Sequence, residues 1–428
     1  MTLTPEQREL GRRNFLRALA GTPALAALGA ASGAEGPVLG GPVRVGFIGT
    51  GVQARGQLLS NIDPRFTQVV ALCDINPAQL ELAADVLGEA KLPPAKQYSD
   101  WREMLLKERL EAAVIATPLF AHAEMAVGCM EAGLHVLCEK MMAYDAEGCR
   151  RMLETSRKTN RHLEIGHQRF YSPVYRAAYE GVVKQGLLGE VYFARLTWHR
   201  NGNWRRQGEP PSPEFDPAPW GYPTFEHLLN WRLYWRYSQG LMAELASHMV
   251  AVADWFFGAS VVAVQMSGGV HRFKDGREVP DHVYATLEYP GGRTAVFTSI
   301  ASNSLGQRSE AIYGTKGTLV LCREREAYLF EEGGPGVATA NEVRGKAGDV
   351  VDSSESRPDA GTASGGALST IGDDRQTSSR LEISGLCATV RTGTPLLCGP
   401  TRGINTALAC IGANQSMQKG SWIQIKDL

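Results

Sequence analysis

The chain has 428 residues, enough for two ordinary domains with cores of their own, and its 43% hydrophobic and 21% charged residues are ordinary for a soluble globular protein. A formal net charge of -1 argues against a general polyanion binder, so nucleic acid is not an expected partner. The 8 cysteines are scattered, with no C-x-x-C pair and no His/Cys cluster at metal spacing, which predicts buried reduced thiols and no metal site.

The first forty residues differ from the rest. Arg12-Arg13-Asn14-Phe15-Leu16-Arg17 precedes a weakly apolar Ala/Leu/Gly stretch, Ala18 to Ala31, which is too short to hold a stable membrane span. The pattern resembles a twin-arginine export signal covering residues 1–34, with cleavage expected after Ala34 and a periplasmic or secreted mature protein. A basic amphipathic helix is the alternative, and the uncharged run from Ala18 to Ala31 speaks against it.

From residue 42 to 166 strands and helices alternate, which predicts a parallel sheet covered on both faces. The apolar strand Val43 to Ile48 runs into Gly49-x-Gly51-Val52-Gln53-Ala54, where a helix starts. Strand, glycine turn and helix in that order suit a dinucleotide pyrophosphate. Gly49 permits the tight turn, Gly51 lets backbone approach phosphate, and Ala54 lets helix and strand pack closely. A second strand, Val69 to Cys73, ends at Asp74, at the offset where a carboxylate binds the adenosine ribose diol. Asp74 repels a 2′-phosphate and neither Ile75 nor Asn76 offers a cation, so NAD is favoured over NADP.

Helices follow at Pro77 to Gly88 and Asp100 to Lys107, then a strand Ala112 to Ala116 ending in Thr117-Pro118. A helix Ala121 to Ala132, the strand His135 to Cys138, a helix Ala146 to Thr159 and the strand Leu163 to Gly166 complete the sheet. Ligands in such sheets sit beyond the carboxyl ends of the strands. Thr117, Pro118, His122, Glu139, Lys140 and His167 all lie there, with His122 expected beside the nicotinamide.

Trp198 to Trp235 is dense in Trp, Arg, Tyr, Pro and Asn, which suits a long loop over a sugar cleft or one pinned at a subunit interface. Trp204, Trp231 and Arg232 are its substrate-binding candidates, joined by His167, Arg169 and Tyr171 after the last strand; His167 fits a packing role equally well. A helix Leu241 to Phe257 leads to period-two segments at Val261 to Val270, His282 to Tyr289, Thr294 to Ala301, Ser309 to Tyr313 and Thr318 to Leu321. Gly291-Gly292 reads as a hairpin turn, so residues 167–428 are expected to form a largely antiparallel sheet with helices. Glu331 to Ser379, rich in Gly, Ser, Ala and Asp, reads as a flexible insertion. Helices at Leu381 to Thr392 and Arg402 to Lys419 and a strand Trp422 to Ile425 close the chain.

Across most of the chain after residue 42 the sequence resembles the Gfo/Idh/MocA oxidoreductases. The matching stretches are GTGVQARG, ALCDINP, VIATPLFAHAEMAVGCMEAGLHVLCEK, GHQRFYSP, GLLGEVYFARLTWHR, AELASHMVAVADWFFG, IYGTKGTL and PLLCGPTRG. The resemblance implies an α/β protein: an N-terminal Rossmann domain and a C-terminal α/β domain whose large open sheet often serves as an oligomer interface. It also implies action on hydroxyls of sugars, polyols or related small molecules with NAD or NADP. Lys140 matches the lysine of the family's Glu-Lys-Pro motif, with Met141 in place of the proline. Glu244 and His248 match an Asp and a His that share one helical face, where a carboxylate beside an imidazole favours uptake of a hydroxyl proton. Lys140, His248 and Glu244 are therefore the catalytic candidates.

Export complicates simple dehydrogenation, since a compartment without an NAD pool leaves the cofactor reduced after one turnover. A tightly bound NAD used as a resident catalyst resolves this, either in sugar–sugar redox exchange or in redox-neutral glycoside cleavage. In the latter a hydroxyl is oxidised, the aglycone eliminated, water added and the hydride returned. Some relatives are glycosidases of that kind. A cofactor-holding binding protein without turnover is the third reading.

Overall fold

The computed structural model describes residues 3–20, 40–332, 342–343, 350–351 and 374–428. Most of the Ala18 to Ala31 stretch, the expected cleavage point and most of the expected insertion lie outside these residues.

The first helix, α1 (Pro5–Leu19), is set by a capping box. The Thr4 hydroxyl accepts from the Gln7 backbone N–H, and the Gln7 side chain accepts from the Thr4 N–H. It lies on the far end of the second sheet. Gly11 abuts Tyr328 and Phe330 so closely that a Cβ there would come within 2.8 Å of both, and Phe15 and Leu19 are buried. Arg12 pairs with Glu326 at 3.6 Å.

The first sheet is built from β1 (Val43–Ile48), β2 (Thr67–Cys73), β3 (Lys96–Tyr98), β4 (Ala112–Ile115), β5 (His135–Glu139) and β6 (Leu163–Gly166). Helices α2 (Pro77–Glu89), α3 (Trp101–Lys107), α4 (His122–Glu131) and α5 (Ala146–Thr159) connect them. The order β3-β2-β1-β4-β5-β6, parallel throughout, is that of a Rossmann sheet. Chain direction across the sheet reverses between β1 and β4, which opens the ligand crevice at their carboxyl ends. The backbone after the glycine turn is less regular than expected: a wide turn, Ala54–Leu58, passes straight into a tight one, Leu59–Asn61.

After the short α6 (Pro173–Ala178) comes β7 (Val191–Asn201), then α7 (Phe225–Leu229) and α8 (Ser247–Phe257). The strands β8 (Ala263–Gly269), β9 (His282–Tyr289), β10 (Arg293–Ile300), β11 (Ser302–Gly314), β12 (Gly317–Cys322) and β13 (Glu326–Glu331) follow, then α9 (Asp374–Thr392), α10 (Pro400–Lys419) and β14 (Ile423–Gln424). The sheet order is β13-β12-β11-β7-β10-β9-β8-β14, and of its pairs β7–β10 alone is parallel. The β9–β10 hairpin turns at Gly291 and Gly292, with φ of 79° and 74°, as the glycine pair predicts.

Two expectations need correction. Trp198 to Asn201 is strand, not loop, because β7 extends to Asn201. Two parts of the expected insertion are ordinary structure, since Glu331 ends β13 and Asp374 begins α9. The closing helices return to the first sheet. Ile383, Leu386 and Cys387 of α9 join the core under β1 and β2 with Val43, Val45 and Leu72, and Arg391 clamps Glu111 with contacts of 2.6 and 2.9 Å. The amphipathic need of α9 is met by the open face of the first sheet. The eight cysteines are unpaired, and all but Cys322 are buried. Among the described residues no helix is long and apolar enough to cross a membrane.

Candidate active site

The β1 glycine turn is held against the next strand. Gly49 has φ +85°, its N–H donates to the Cys73 carbonyl at 2.8 Å, and a Cβ there would sit 2.8 Å from the backbone of Ala116 and Thr117. Only glycine combines that dihedral with that approach. A Cβ on Gly51, by contrast, would meet nothing within 4 Å, so its backbone is open to a ligand. Asp74 closes the turn from the other side, accepting from the Thr50 N–H at 2.8 Å, the Thr50 hydroxyl at 3.2 Å and the Asn76 N–H at 2.9 Å. Burial pushes its carboxyl above the ordinary range, and the three donors with nearby Arg55 act against that. Arg55, absent from the sequence reading, is a cation near the ribose position, but its guanidinium is tied to the Thr50 carbonyl at 2.6 Å and to Gln79. Ala54 is buried against the sheet and Val52 is exposed.

A cleft of about 240 Å³ opens past the ends of β4 and β5. Its first-domain wall carries Gln53, Thr117, His122, Glu139 and Lys140, with Pro118 adjoining. Gln53 donates to Glu139 at 2.8 Å, which ties the glycine-turn helix to the β5 end. His122 is buried with Nδ1 at 3.0 Å from the Met141 carbonyl and Nε2 at 3.0 Å from the Thr117 carbonyl. Burial lowers its pKa. It therefore staples the β4 and β5 ends together beside Lys140, and the Lys140–Met141 peptide is cis.

The opposite wall comes from β7, the loop after it and α8. Trp198 and Arg200, two apart on one face of β7, line the cleft with Trp204, Arg206, Trp231 and Arg232. Glu244 sits in a wide turn, Met242–Ala246, that leads into α8, and His248 is on the first turn of that helix. The Glu244 carboxylate turns to Arg232, whose Nε donates at 2.8 Å, and to Lys140 Nζ at 3.8 Å. Lys140 Nζ also donates to the Glu244 carbonyl at 3.1 Å. Burial alone would raise the Glu244 carboxyl, but Lys140 and Arg232 hold it below the usual carboxylate range. The His248 ring is buried, set edge-on to His167 at 5.9 Å and tilted against Trp198 at 5.9 Å.

The structure thus brings Lys140, Glu244 and His248 into one cleft with Trp204, Trp231 and Arg232. Three expected substrate contacts lie elsewhere. His167 is buried behind His248, and burial, with Lys140 and Arg169 nearby, pushes its pKa down to about 3, so it packs as a neutral ring. Arg169 is fully buried between Glu310 and Glu324, donating to Glu324 at 2.7 and 2.8 Å. Tyr171 is buried beside Glu164, and burial raises its hydroxyl pKa. β6 is the edge strand farthest from β3, and the side chains that follow it, His167, Arg169 and Tyr171, are buried. Trp198, Arg200 and Arg206 went unnamed; the alternation of Trp198 and Arg200 was the signal available for two of them.

A glycine turn at a β1/β4 switch point, an acidic residue at the β2 end and a lysine and an imidazole in one cleft define a nucleotide-dependent oxidoreductase of two domains. Residues 43–167 match the profile of the oxidoreductase family with an NAD-binding Rossmann fold, and residues 177–320 match the GFO/IDH/MocA C-terminal domain. The chain belongs to the Gfo/Idh/MocA family, and its cofactor is NAD. A glycosyl hydrolase family 109 protein of Stenotrophomonas maltophilia is 29% identical over 313 residues, covering 65% of this chain and 67% of the relative. A glycosyl hydrolase family 109 protein of Bacteroides thetaiotaomicron is 31% identical over 176 residues, covering 38% of each chain, so the chain matches well under half of that relative's length. A levoglucosan dehydrogenase solved with NADH and L-sorbose shares the fold with a TM-score of 0.68 at 20% identity, over 90% of this chain and 99% of that one.

The residues present fit the cofactor. The open backbone at Gly51 accommodates a pyrophosphate, and Asp74, fixed by three donors, has the chemistry to accept from ribose hydroxyls.

Proposed function

We propose that this protein oxidises a secondary hydroxyl of a sugar or polyol by hydride transfer to NAD, and that Lys140, His248 and Glu244 carry the chemistry. The observation behind the reading is the meeting of a lysine, an imidazole and a doubly paired carboxylate in one cleft beyond β4 and β5. When bound, NAD supplies the two-electron acceptor. Lys140 holds the hydroxyl oxygen through its ammonium donors, and His248 takes the hydroxyl proton as general base. Glu244 fixes the Lys140 ammonium and Arg232 rather than orienting the imidazole, which is the role its distances support. Trp204 and Trp231 offer aromatic faces for the C–H side of a sugar ring, and the buried wall limits water. The protein incubated with NAD and a panel of sugars and polyols should raise absorbance at 340 nm with at least one class of substrate. Silence across the panel, with NAD bound, would count against net oxidation.

A second reading has support of its own. The glycosyl hydrolase relatives favour redox-neutral cleavage of a glycoside by the same oxidation, with NAD retained. Repeated release of nitrophenol from a nitrophenyl glycoside without added NAD distinguishes it. A binding protein without turnover is disfavoured by the presence of both Lys140 and His248.

Export through the twin-arginine pathway is part of the proposal, supported by Arg12-Arg13 and the uncharged stretch behind them. Since α1 docks on the sheet, replacing both arginines with lysine should retain the protein in the cytoplasm without unfolding it, as fractionation would show. We also propose a homo-oligomer through the second sheet, whose outer face leaves Tyr192 and Tyr284 about half exposed. Light scattering would report it.

A further inference from the structure

The cleft is more basic than a neutral substrate requires. Lys140, Arg200, Arg206 and Arg232 line it, against the carboxylates of Glu139 and Glu244. Glu244 is engaged by Lys140 and Arg232, and Glu139 by Gln53 and the Lys140 N–H. Glu244 is near enough to attract Arg200, but among the described residues no carboxylate accepts a hydrogen bond from it. Arg200 Nε and Nη2 are shielded from solvent and make no hydrogen bond, and burial draws its pKa down to about 9. Trp204 stacks on one face of the guanidinium at 3.4 Å, with its own backbone at φ +64°, a conformation that a bulky residue rarely takes. A guanidinium edge that is shielded from water and has no hydrogen-bond acceptor is costly, and a site keeps one where a bound state supplies the missing partner. Nε and Nη2 are one edge of the guanidinium, and two parallel donors at that spacing match the two oxygens of a carboxylate.

We propose that the substrate carries a carboxylate, as a uronic acid or its glycoside, and that Arg200 holds that group while the sugar hydroxyl lies at Lys140 and His248. The proposal rests on the reading of the cleft as a sugar site and names its substrate class. The stacked Trp204 sets the plane of the guanidinium, so the acid group fixes the orientation of the ring and with it the hydroxyl presented for oxidation.

The test is calorimetric titration of the NAD-loaded protein with D-glucuronate, D-galacturonate, D-glucose, D-galactose and D-glucose 6-phosphate. Uronates should bind at least tenfold more tightly than the parent hexoses. Arg200→Gln should remove that preference, with uronate affinity falling at least tenfold more than hexose affinity, and Arg200→Lys should recover part of it. Raising sodium chloride should shrink the uronate preference of the unaltered protein, which keeps the proposal testable if the variants fold poorly. Equal binding of uronates and hexoses, or equal losses for both in Arg200→Gln, overturns the proposal and leaves the sugar site standing. Tighter binding of the phosphate ester than of the uronates overturns the assignment to a carboxylate. Binding of none of the five overturns the sugar site itself.

Discussion

Replacing Glu244 with glutamine keeps the shape of the side chain and removes its charge. The carboxylate lies 3.8 Å from Lys140 Nζ and 2.8 Å from Arg232 Nε, in a site where both Lys140 and Glu244 are nearly buried. At 3.8 Å and an effective dielectric of about 20, the Lys140 pair alone interacts by about 4 kcal/mol. The cost of desolvating both charges offsets much of this, leaving about 1–3 kcal/mol at stake in the placement of the ammonium. Glu244→Gln should therefore lower kcat about 5- to 150-fold on a substrate found in the sugar and polyol screen. NAD affinity should change little, because the nucleotide cradle at Gly49, Gly51 and Asp74 is untouched. Glu244→Asp, which keeps the charge on a shorter stem, should fall between the two. A glutamine variant with the kcat of the unaltered protein would show that the carboxylate does not set the lysine, and the assigned role would fail.

Gly49→Ala should weaken NAD binding at least tenfold and lower the melting temperature, because it combines a φ of +85° with a 2.8 Å approach to the Ala116–Thr117 backbone; calorimetry and thermal melts check both. Asp74→Asn should cost NAD about 1–3 kcal/mol while leaving NADP much less affected, so the ratio of the two dissociation constants should narrow. Arg169→Met leaves Glu310 and Glu324 buried without their cation and should destabilise the fold by about 3–5 kcal/mol in denaturant titration. A change in substrate KM at unaltered stability would instead return Arg169 to the substrate site. Burial raises the Glu164 carboxyl to about 8, well above its ordinary value. The folded state thus keeps a proton that the unfolded chain gives up at ordinary carboxylate pH, so this contribution to stability is full in acid and declines as pH rises to about 8. Glu164→Gln should flatten that decline in melts recorded across the range.

The nucleotide half was legible because its signals are local. A β-rich strand, two glycines with distinct steric duties and a carboxylate at the next strand end occupy a short stretch, and the Gly291-Gly292 turn is equally self-contained. The misplacements came from long-range geometry. Arg169 and Tyr171 follow a strand end, which is where ligands sit in such sheets, but nothing local shows that β6 is the edge strand and that the side chains after it are buried. Ser309 to Tyr313 alone reads as strand because Ser302 to Gln307 carries Ser, Asn, Gly and Gln, yet β11 spans thirteen residues, with Ser302 and Asn303 paired to β7 ahead of an irregularity before Arg308. Such residues enter a strand when neighbours supply the ladder. The polar start of α9 was hidden in the same way, its helix being fixed by later residues that bury against the first sheet. Within the site, Lys140, Glu244 and His248 could be named, but the turn of Glu244 toward Lys140 and Arg232 follows from the wide turn before α8, which spacing on an ideal helix does not anticipate.

The central claim is that Lys140 and His248 act together on a sugar hydroxyl beside NAD. The most direct measurement is a single-turnover mixing experiment, in which NAD-loaded protein meets excess uronate, hexose or nitrophenyl glycoside and absorbance at 340 nm is followed. The account predicts a burst no larger than one NADH per protein, lost in Lys140→Met and slowed at least a hundredfold in His248→Asn, with NAD affinity preserved in both. A burst that survives in both variants, or the absence of any burst with every substrate class while NAD is bound, would contradict it.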